Sequence, residues 1–272
     1  MDAKEIISKA IETYNPLRIA LLFSGGHDSL VSSHVSATIL DDIGVPFVLY
    51  HGDTTIGIPE TQAYVRMVCE VMGWDLIIRQ PPDRNDWYES IVARSGFPGP
   101  TRQAHQITYR CLKERALRHW ITHELKTSPH ARENVLLLTG IRQSESRVRM
   151  GYTNTTAKDD SKIWVNPIHY WSESDREDYI KANDLPRNPV KDRICISGEC
   201  LCGAFAGKEE YAEVKEAYPH VAKKIDRLHE IAKANGYPWP WSMGPSKWYK
   251  RHPPGQMNMF MCVGCENKRA ME

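Results

Sequence analysis

Apolar positions recur at helical spacing over residues 2–13, where Ile6, Ile7, Ala10 and Ile11 share one side; the pattern predicts an amphipathic entry helix that Pro16 ends. Residues 18–23 are a short apolar run leading into Ser-Gly-Gly, and 29–40 return to helical spacing. A β-branched and aromatic strand at 45–50 follows a Gly-Val-Pro turn, a helix is predicted at 60–72 and a third strand at 74–78. Proline and glycine crowd 81–101, helical spacing resumes over 109–125, and 134–139 read as a fourth strand. Beyond a polar loop at 151–162, a fifth strand is expected at 163–167 and a helix at 173–183. Strands alternating with helices predict an α/β fold, a mostly parallel five-stranded sheet with helices on both faces. Ligands of such sheets bind at the carboxyl ends of the strands.

From about residue 186 the alternation stops and Pro, Gly, Cys, Trp and Lys/Arg become frequent, interrupted by one predicted helix at 209–234. Residues 1–185 are therefore expected to form the main domain and 186–272 an appendage held by something other than a large apolar core. The 35 basic and 34 acidic residues nearly cancel, which argues against a protein that coats DNA or an anionic membrane; nucleic acid stays open as a substrate. The first twenty residues lack an apolar core followed by a cleavage site, and no run is long enough for a membrane helix, so a cytoplasmic protein is expected. In that compartment its seven cysteines read as ligands, nucleophiles or core residues rather than disulfides.

The hexapeptide Ser24-Gly25-Gly26-His27-Asp28-Ser29 lies between a predicted strand and a predicted helix, where backbone N–H groups and the positive helix end converge on an anion. The glycines let the backbone approach phosphate oxygens, and Ser24 and Ser29 add hydroxyl donors. Asp28 needs a Mg²⁺ ion or a helix N–H to balance it, which points to a metal–nucleotide complex; a tight turn capped by Asp28 or Ser29 is the bland alternative. The stretch 203–209 approaches a Walker A loop but is one residue short, and Glu209 stands where a hydroxyl is needed.

This loop resembles the Ser-Gly-Gly-x-Asp-Ser loop of N-type ATP pyrophosphatases and phosphoadenylyl-sulfate reductases. Four further segments are similar in order: His51-Gly52-Asp53-Thr54 through Pro59-Glu60-Thr61; Arg110-Cys111-Leu112-Lys113; the run 140–149 from Gly140-Ile141-Arg142; and Asn166-Pro167-Ile168-His169-Tyr170-Trp171. The resemblance implies an adenine-nucleotide α-hydrolase-like fold, Mg²⁺–ATP as cofactor, and cleavage between the α and β phosphates to adenylate an unknown acceptor, with an unknown sulfur donor. A sulfonucleotide reductase is the second reading. A non-catalytic nucleotide-binding subunit, of the kind that accompanies phage and CRISPR assemblies with protein partners, is the third. It further implies cofactor contacts from residues 24–29 and Asp53, with His27 at the variable position, and charge neutralisation by Lys113, Arg142, Arg147 and Arg149; Asp28, Lys113 and Arg142 would be catalytic. For each the bland alternative is a solvated or turn-capping side chain.

Cys195, Cys200 and Cys202 are followed sixty residues later by Cys262 and Cys265. Thiolates at these spacings suit an iron–sulfur cluster or zinc, and reactive or structural thiols are the other reading. The resemblance tilts this toward a [4Fe–4S] cluster on Cys200, Cys202, Cys262 and Cys265, with Cys195 as substitute or extra, as in iron–sulfur adenylyl-sulfate reductases and DNA-phosphorothioation pyrophosphatases. Cys69 reads as core, and Cys111 as core or site. The family's reductases carry a Glu-Cys-Gly-x-His tail, which residues 265–272 do not match, so sulfite release on a tail cysteine is not expected. His51 and His169 receive no role. Trp239, Trp241 and residues 247–252 interleave aromatic and basic side chains, read as packing around a small metal-bound core in preference to a single-strand platform.

Overall fold

The computed structural model describes residues 2–144, 154–207 and 209–243. Helix α1 (Ala3–Tyr14) opens on Asp2, whose Oδ1 accepts from Glu5 N at 2.7 Å, and is followed by β1 (Arg18–Leu22), α2 (His27–Asp42), β2 (Val48–Gly52), α3 (Pro59–Met72) and β3 (Leu76–Arg79). Helix α4 (Tyr88–Ser95) lies in the turn-rich stretch; the proline and glycine at both its ends concealed a helix too short to show a period. Helix α5 (Arg102–Tyr109) runs through a π turn (Arg110–Glu114) into α6 (Arg115–Trp120) and a second π turn (Ile121–Leu125). Then come β4 (Val135–Leu138), β5 (Thr156–Asp159), β6 (Lys162–Val165), α7 (Glu173–Ala182), α8 (Pro189–Ile194), α9 (Glu210–Ala217) and α10 (Pro219–Ala234).

The sheet order is β3-β2-β1-β4-β6-β5, parallel throughout except for β5 against β6. The five expected strands are all present, and β5 is a sixth. It was read as loop because an exposed edge strand, Thr-Ala-Lys-Asp, needs no apolar alternation; it forms a hairpin in which Asp159 pairs with Lys162 at 2.8 Å. Successive residues of the central strands feed opposite layers. Ile19, Leu21, Leu136 and Leu138 pack with α1, α2 and α3, whereas Ala20, Val135 and Leu137 pack with Leu117, Trp120 and Ile121. Each such fully buried large side chain contributes about 1.5–3 kcal/mol, so the centre of the sheet is a rigid platform for the loops at its carboxyl edge.

The described part of 186–243 departs from expectation in two ways. The helix predicted at 209–234 is broken, because Pro219 has no N–H to donate and its ring collides with the preceding turn; Tyr218 leaves helical geometry at φ −137°. The segment also has an apolar core: Val190, Ile194, Leu201, Phe205, Val221 and Leu228 pack with Ile56, Ile58, Tyr88, Val92 and Phe97. Those apolar residues are scattered among turns, so no period revealed them. Ala204, Phe205 and Ala206 of the Walker-like stretch are part of this core, as is Trp241, whose Nε1 donates to Leu201 O at 2.8 Å, while Trp239 packs against it and donates to Phe97 O at 2.9 Å. Residues 247–252 lie outside the described residues. No described helix is long and apolar enough to cross a membrane.

Candidate functional site

The strand order reverses between β1, which pairs with β2 on one side, and β4 on the other, and the loop after β1 opens at this switch point. Gly26 is the N-cap of α2 and provides no side-chain cap, so the first-turn N–H groups keep their capacity for an anion. Ser24 and Ser29 hydroxyls are 3.0 Å apart, and Ser29 Oγ also donates to Gly26 O at 2.8 Å, which fixes the curl of the loop. Gly25 sits at φ +82°, and a Cβ there would lie 2.8 Å from Thr61 Cγ2; Gly140 comes so close to α2 that a Cβ would lie 2.6 Å from the Asp28 carbonyl. The two glycines thus let α3 and the segment that follows β4 press on the loop from either side.

Asp28 is met by two guanidinium groups. Arg142 Nε donates to Oδ1 at 2.6 Å and Arg176 Nη1 to the same oxygen at 3.2 Å, and both arginines are buried. The charge balance that the sequence placed on a metal is supplied in part by the protein, and among the described residues no group meets Asp28 Oδ2. Arg176, on α7, continues to Glu173 and Glu177, and Glu177 to Arg187, which pairs with Asp192. His27 is buried with its Nδ1 3.4 Å from Arg187 Nη2 and its Nε2 3.5 Å from Asp192; burial, helped by Arg187, lowers its pKa, so the ring belongs to this network.

Burial works against the Glu177 charge, but hydrogen bonds from Arg187 and Arg176 outweigh it and hold the carboxyl at about 2, below its ordinary 4.5. A depressed folded-state pKa stabilises the fold above the unfolded value, and that stability is lost as pH falls from 4.5 through about 2. Urea unfolding across this window should therefore show a steeper loss for the natural protein than for Glu177→Gln, and parallel curves would place the network outside the folding equilibrium.

Lys113 lies on the first π turn, and its Nζ is 2.7 Å from Glu199 Oε2. Asp53 caps the turn after β2, Oδ1 accepting from Thr55 N at 2.8 Å and Oδ2 from Gln80 Nε2 at 2.7 Å. The segment before Cys200 is laid along the phosphate loop. Thr61 Oγ1 donates to Ser197 O at 2.6 Å, Ile58 N to Gly198 O at 2.7 Å, and Thr54 Oγ1 to Glu199 O at 2.6 Å. Asn188 joins the two: its Nδ2 donates to Gly25 O at 2.8 Å and to Ser197 O at 3.2 Å.

Cys202 is buried with its Sγ 3.4 Å from His105 Nε2, Cys200 is half-buried, and Cys195 is exposed at φ +58° after α8. Cys262, Cys265, Arg147 and Arg149 lie outside the described residues, so half of the expected thiolate set is on view. Among the described residues no three His, Cys, Asp or Glu side chains are grouped to hold a metal ion. Cys69 belongs to the main core and burial pushes its thiol up to about 12; Cys111 is buried beside Arg115, and burial together with Asp86 raises it to about 11. Neither is poised as a thiolate.

Sequence reading missed Arg176, Arg187, Asn188 and Glu199. The Asn188-Pro189 dipeptide is a local helix-start signal that could have drawn attention to Asn188, but the site contacts of all four span long separations in the chain.

The phosphoadenosine 5'-phosphosulfate reductase of Xylella fastidiosa (strain M23) is 26% identical over 204 residues, covering 72% of this chain and 76% of that protein. An uncharacterized protein of Methanocaldococcus jannaschii is 25% identical over 235 residues, 83% of this chain, and the chain spans 52% of its length. A phosphoadenylyl-sulfate reductase from Candida auris, solved as a phosphate complex, superposes with a TM-score of 0.49 at 22% identity over 71% of this chain and 84% of that one. The phosphoadenosine phosphosulfate reductase domain model matches residues 18–269, and the chain belongs to that family.

Proposed function

We propose that the protein binds Mg²⁺–ATP at the loop after β1 and cleaves it between the α and β phosphates, adenylating an acceptor and releasing pyrophosphate. The observation that carries this reading is the loop itself: an open helix N-terminus and two serine hydroxyls at the strand-order switch, braced by glycines on both sides. The backbone N–H groups of 25–29 and the Ser24 and Ser29 hydroxyls would hold the phosphates, while Arg142 and Arg176 keep Asp28 in place beneath them. Asp28 Oδ2 fits a Mg²⁺ ion, which when bound neutralises phosphate charge. Catalysis by these groups is positioning and charge stabilisation. Lys113, now paired with Glu199, would turn to the phosphates only on exchanging that partner. Arg147 and Arg149 complete the proposed anion contacts, and Asp53 would meet the sugar.

Cys202, beside His105, and Cys200 are soft donors that fit an iron–sulfur cluster or zinc completed by Cys262 and Cys265. Such a group would tie the tail to the segment laid along the phosphate loop.

The family match and the Xylella relative favour a second reading, reduction of a sulfonucleotide. Anaerobically purified protein incubated with Mg²⁺ and either ATP or phosphoadenylyl sulfate separates the two. AMP and pyrophosphate from ATP are expected; sulfite from the sulfonucleotide would replace this reading with the second, and neither product would leave a nucleotide-binding subunit.

A further inference from the structure

Cys202 Sγ lies 3.4 Å from His105 Nε2, and the two residues are 4% and 3% exposed. Each is held in place by neighbours outside the pair. His105, on α5, has its ring edge-on to Phe205 with the centroids 5.3 Å apart. Cys202 O accepts from the Tyr88 hydroxyl at 2.6 Å. On one side of Cys202, Leu201 O accepts from Trp241 Nε1 at 2.8 Å; on the other, Gly203 lies at φ +74°, where a Cβ would come 2.6 Å from the same nitrogen. The thiol and the imidazole are thus fixed relative to each other by packing and backbone hydrogen bonds, as a preorganised ligand pair must be.

The spacing of the pair decides what it can hold. Zinc bonds of about 2.3 Å to sulfur and about 2.0 Å to nitrogen, at a tetrahedral angle, place the two donor atoms about 3.5 Å apart. The observed 3.4 Å matches one ion shared by both. The ligands of a cubane each take a separate iron and stand farther apart, so the pair does not fit two corners of a cluster. Cys200 suits such an ion less well than His105 does. Roughly two to four residues separate paired zinc cysteines, whereas one separates Cys200 from Cys202. Among the described residues, moreover, no third Cys, His, Asp or Glu is grouped with the pair to hold a metal. Cys262-Val-Gly-Cys265 does have the zinc spacing. A thiol–imidazole hydrogen bond spans the same distance, and the two arrangements differ in whether a metal replaces the shared proton.

We propose that His105 and Cys202 share one zinc ion, which Cys262 and Cys265 complete, so that the site has one imidazole and three thiolates and His105 takes the place of Cys200. This rests on the reading that the cysteine segment holds a metal. The ion ties α5 to the segment laid along the phosphate loop.

The full chain, purified anaerobically, is expected to carry zinc at one ion per chain by elemental analysis. Stripped with a chelator and titrated with Co²⁺, it should show tetrahedral d–d bands and thiolate-to-cobalt charge transfer that Zn²⁺ abolishes. His105→Cys should keep the ion and strengthen the charge transfer, because a fourth thiolate replaces the imidazole. His105→Ala should bind Co²⁺ at least about 10-fold more weakly, and Cys200→Ser should leave the bands in place. In the natural chain, which needs no variant to fold, ¹¹³Cd loaded in place of zinc should couple to one ¹⁵N-labelled histidine. Bands that ignore His105→Cys but vanish in Cys200→Ser, or ¹¹³Cd with no histidine coupling, would overturn the proposal and leave the metal reading standing. Iron with acid-labile sulfide would overturn it in favour of a cluster. A natural chain that binds neither zinc, cobalt nor iron would remove the metal reading and the proposal together.

Discussion

Asn188→Ala should weaken Mg²⁺–ATP binding by about 10- to 100-fold, the equivalent of about 1.4–2.8 kcal/mol, and destabilise the fold by about 2–4 kcal/mol. Asn188 is fully buried, and all of its side-chain hydrogen bonds are structural: Oδ1 accepts from Val190 N at 2.9 Å as the cap of α8, and Nδ2 serves Gly25 O and Ser197 O. Losing the cap costs about 1 kcal/mol. Stranding the Gly25 carbonyl in a dry site costs about 1–3 kcal/mol more, whereas Ser197 O still accepts from Thr61. Gly25 is the residue at positive φ on which the curl of the phosphate loop depends, so the loss reaches the ligand directly. Asn188→Asp separates the two parts. It keeps the capping oxygen and aims a carboxylate at two carbonyls, so it should retain α8 yet bind ATP more weakly than the alanine variant. Urea unfolding and calorimetric titration read the two effects, and an aspartate variant that binds ATP like the natural protein would show that the loop stands without Asn188.

That contact explains what was legible in the sequence and what was not. The loop at 24–29 was readable because its chemistry is local: strand, two glycines, serines and helix start lie within about a dozen residues of one another. The parallel strands were readable because both faces are buried, so they are continuous apolar runs. β5 was hidden by being polar and at the edge. The second core was hidden because its residues come from turns, Ile56 and Ile58 on one side and Leu201 and Phe205 on the other, which meet only in three dimensions. Lys113 stood out in the sequence as a charged group on a family-like segment, but its partner Glu199 is 86 residues away and leaves no trace in the local pattern. Asp28 carried the opposite difficulty: one carboxylate in an anion site implied a cation, and the sequence offered a metal, whereas the structure also supplies Arg142 and Arg176 from 114 and 148 residues further on.

Arg142→Met is therefore expected to lower ATP cleavage by at least about 100-fold, about 2.7 kcal/mol, and to cost about 2–4 kcal/mol of stability. Breaking a fully buried ion pair costs about 3–5 kcal/mol, discounted here because the Asp28 side chain keeps 22% of its surface in solvent. Arg176 cannot take over, since its guanidinium is already shared with Glu173 and Glu177. The informative experiment is the cycle with Asp28→Asn. If Arg142 acts only by holding Asp28 at the first turn of α2, the double variant should be no slower than Asp28→Asn alone, because the group it positions is already gone. If Arg142 also touches the nucleotide, the two losses should multiply. The geometry favours the first result: Nε is committed to Asp28 at 2.6 Å, Nη1 leans on Ser144 Oγ at 3.3 Å, and Gly140 presses the same turn from its backbone side. Multiplicative rates would move Arg142 from positioning residue to direct phosphate ligand and give Asp28 a separate task, with Oδ2 as the atom to carry it.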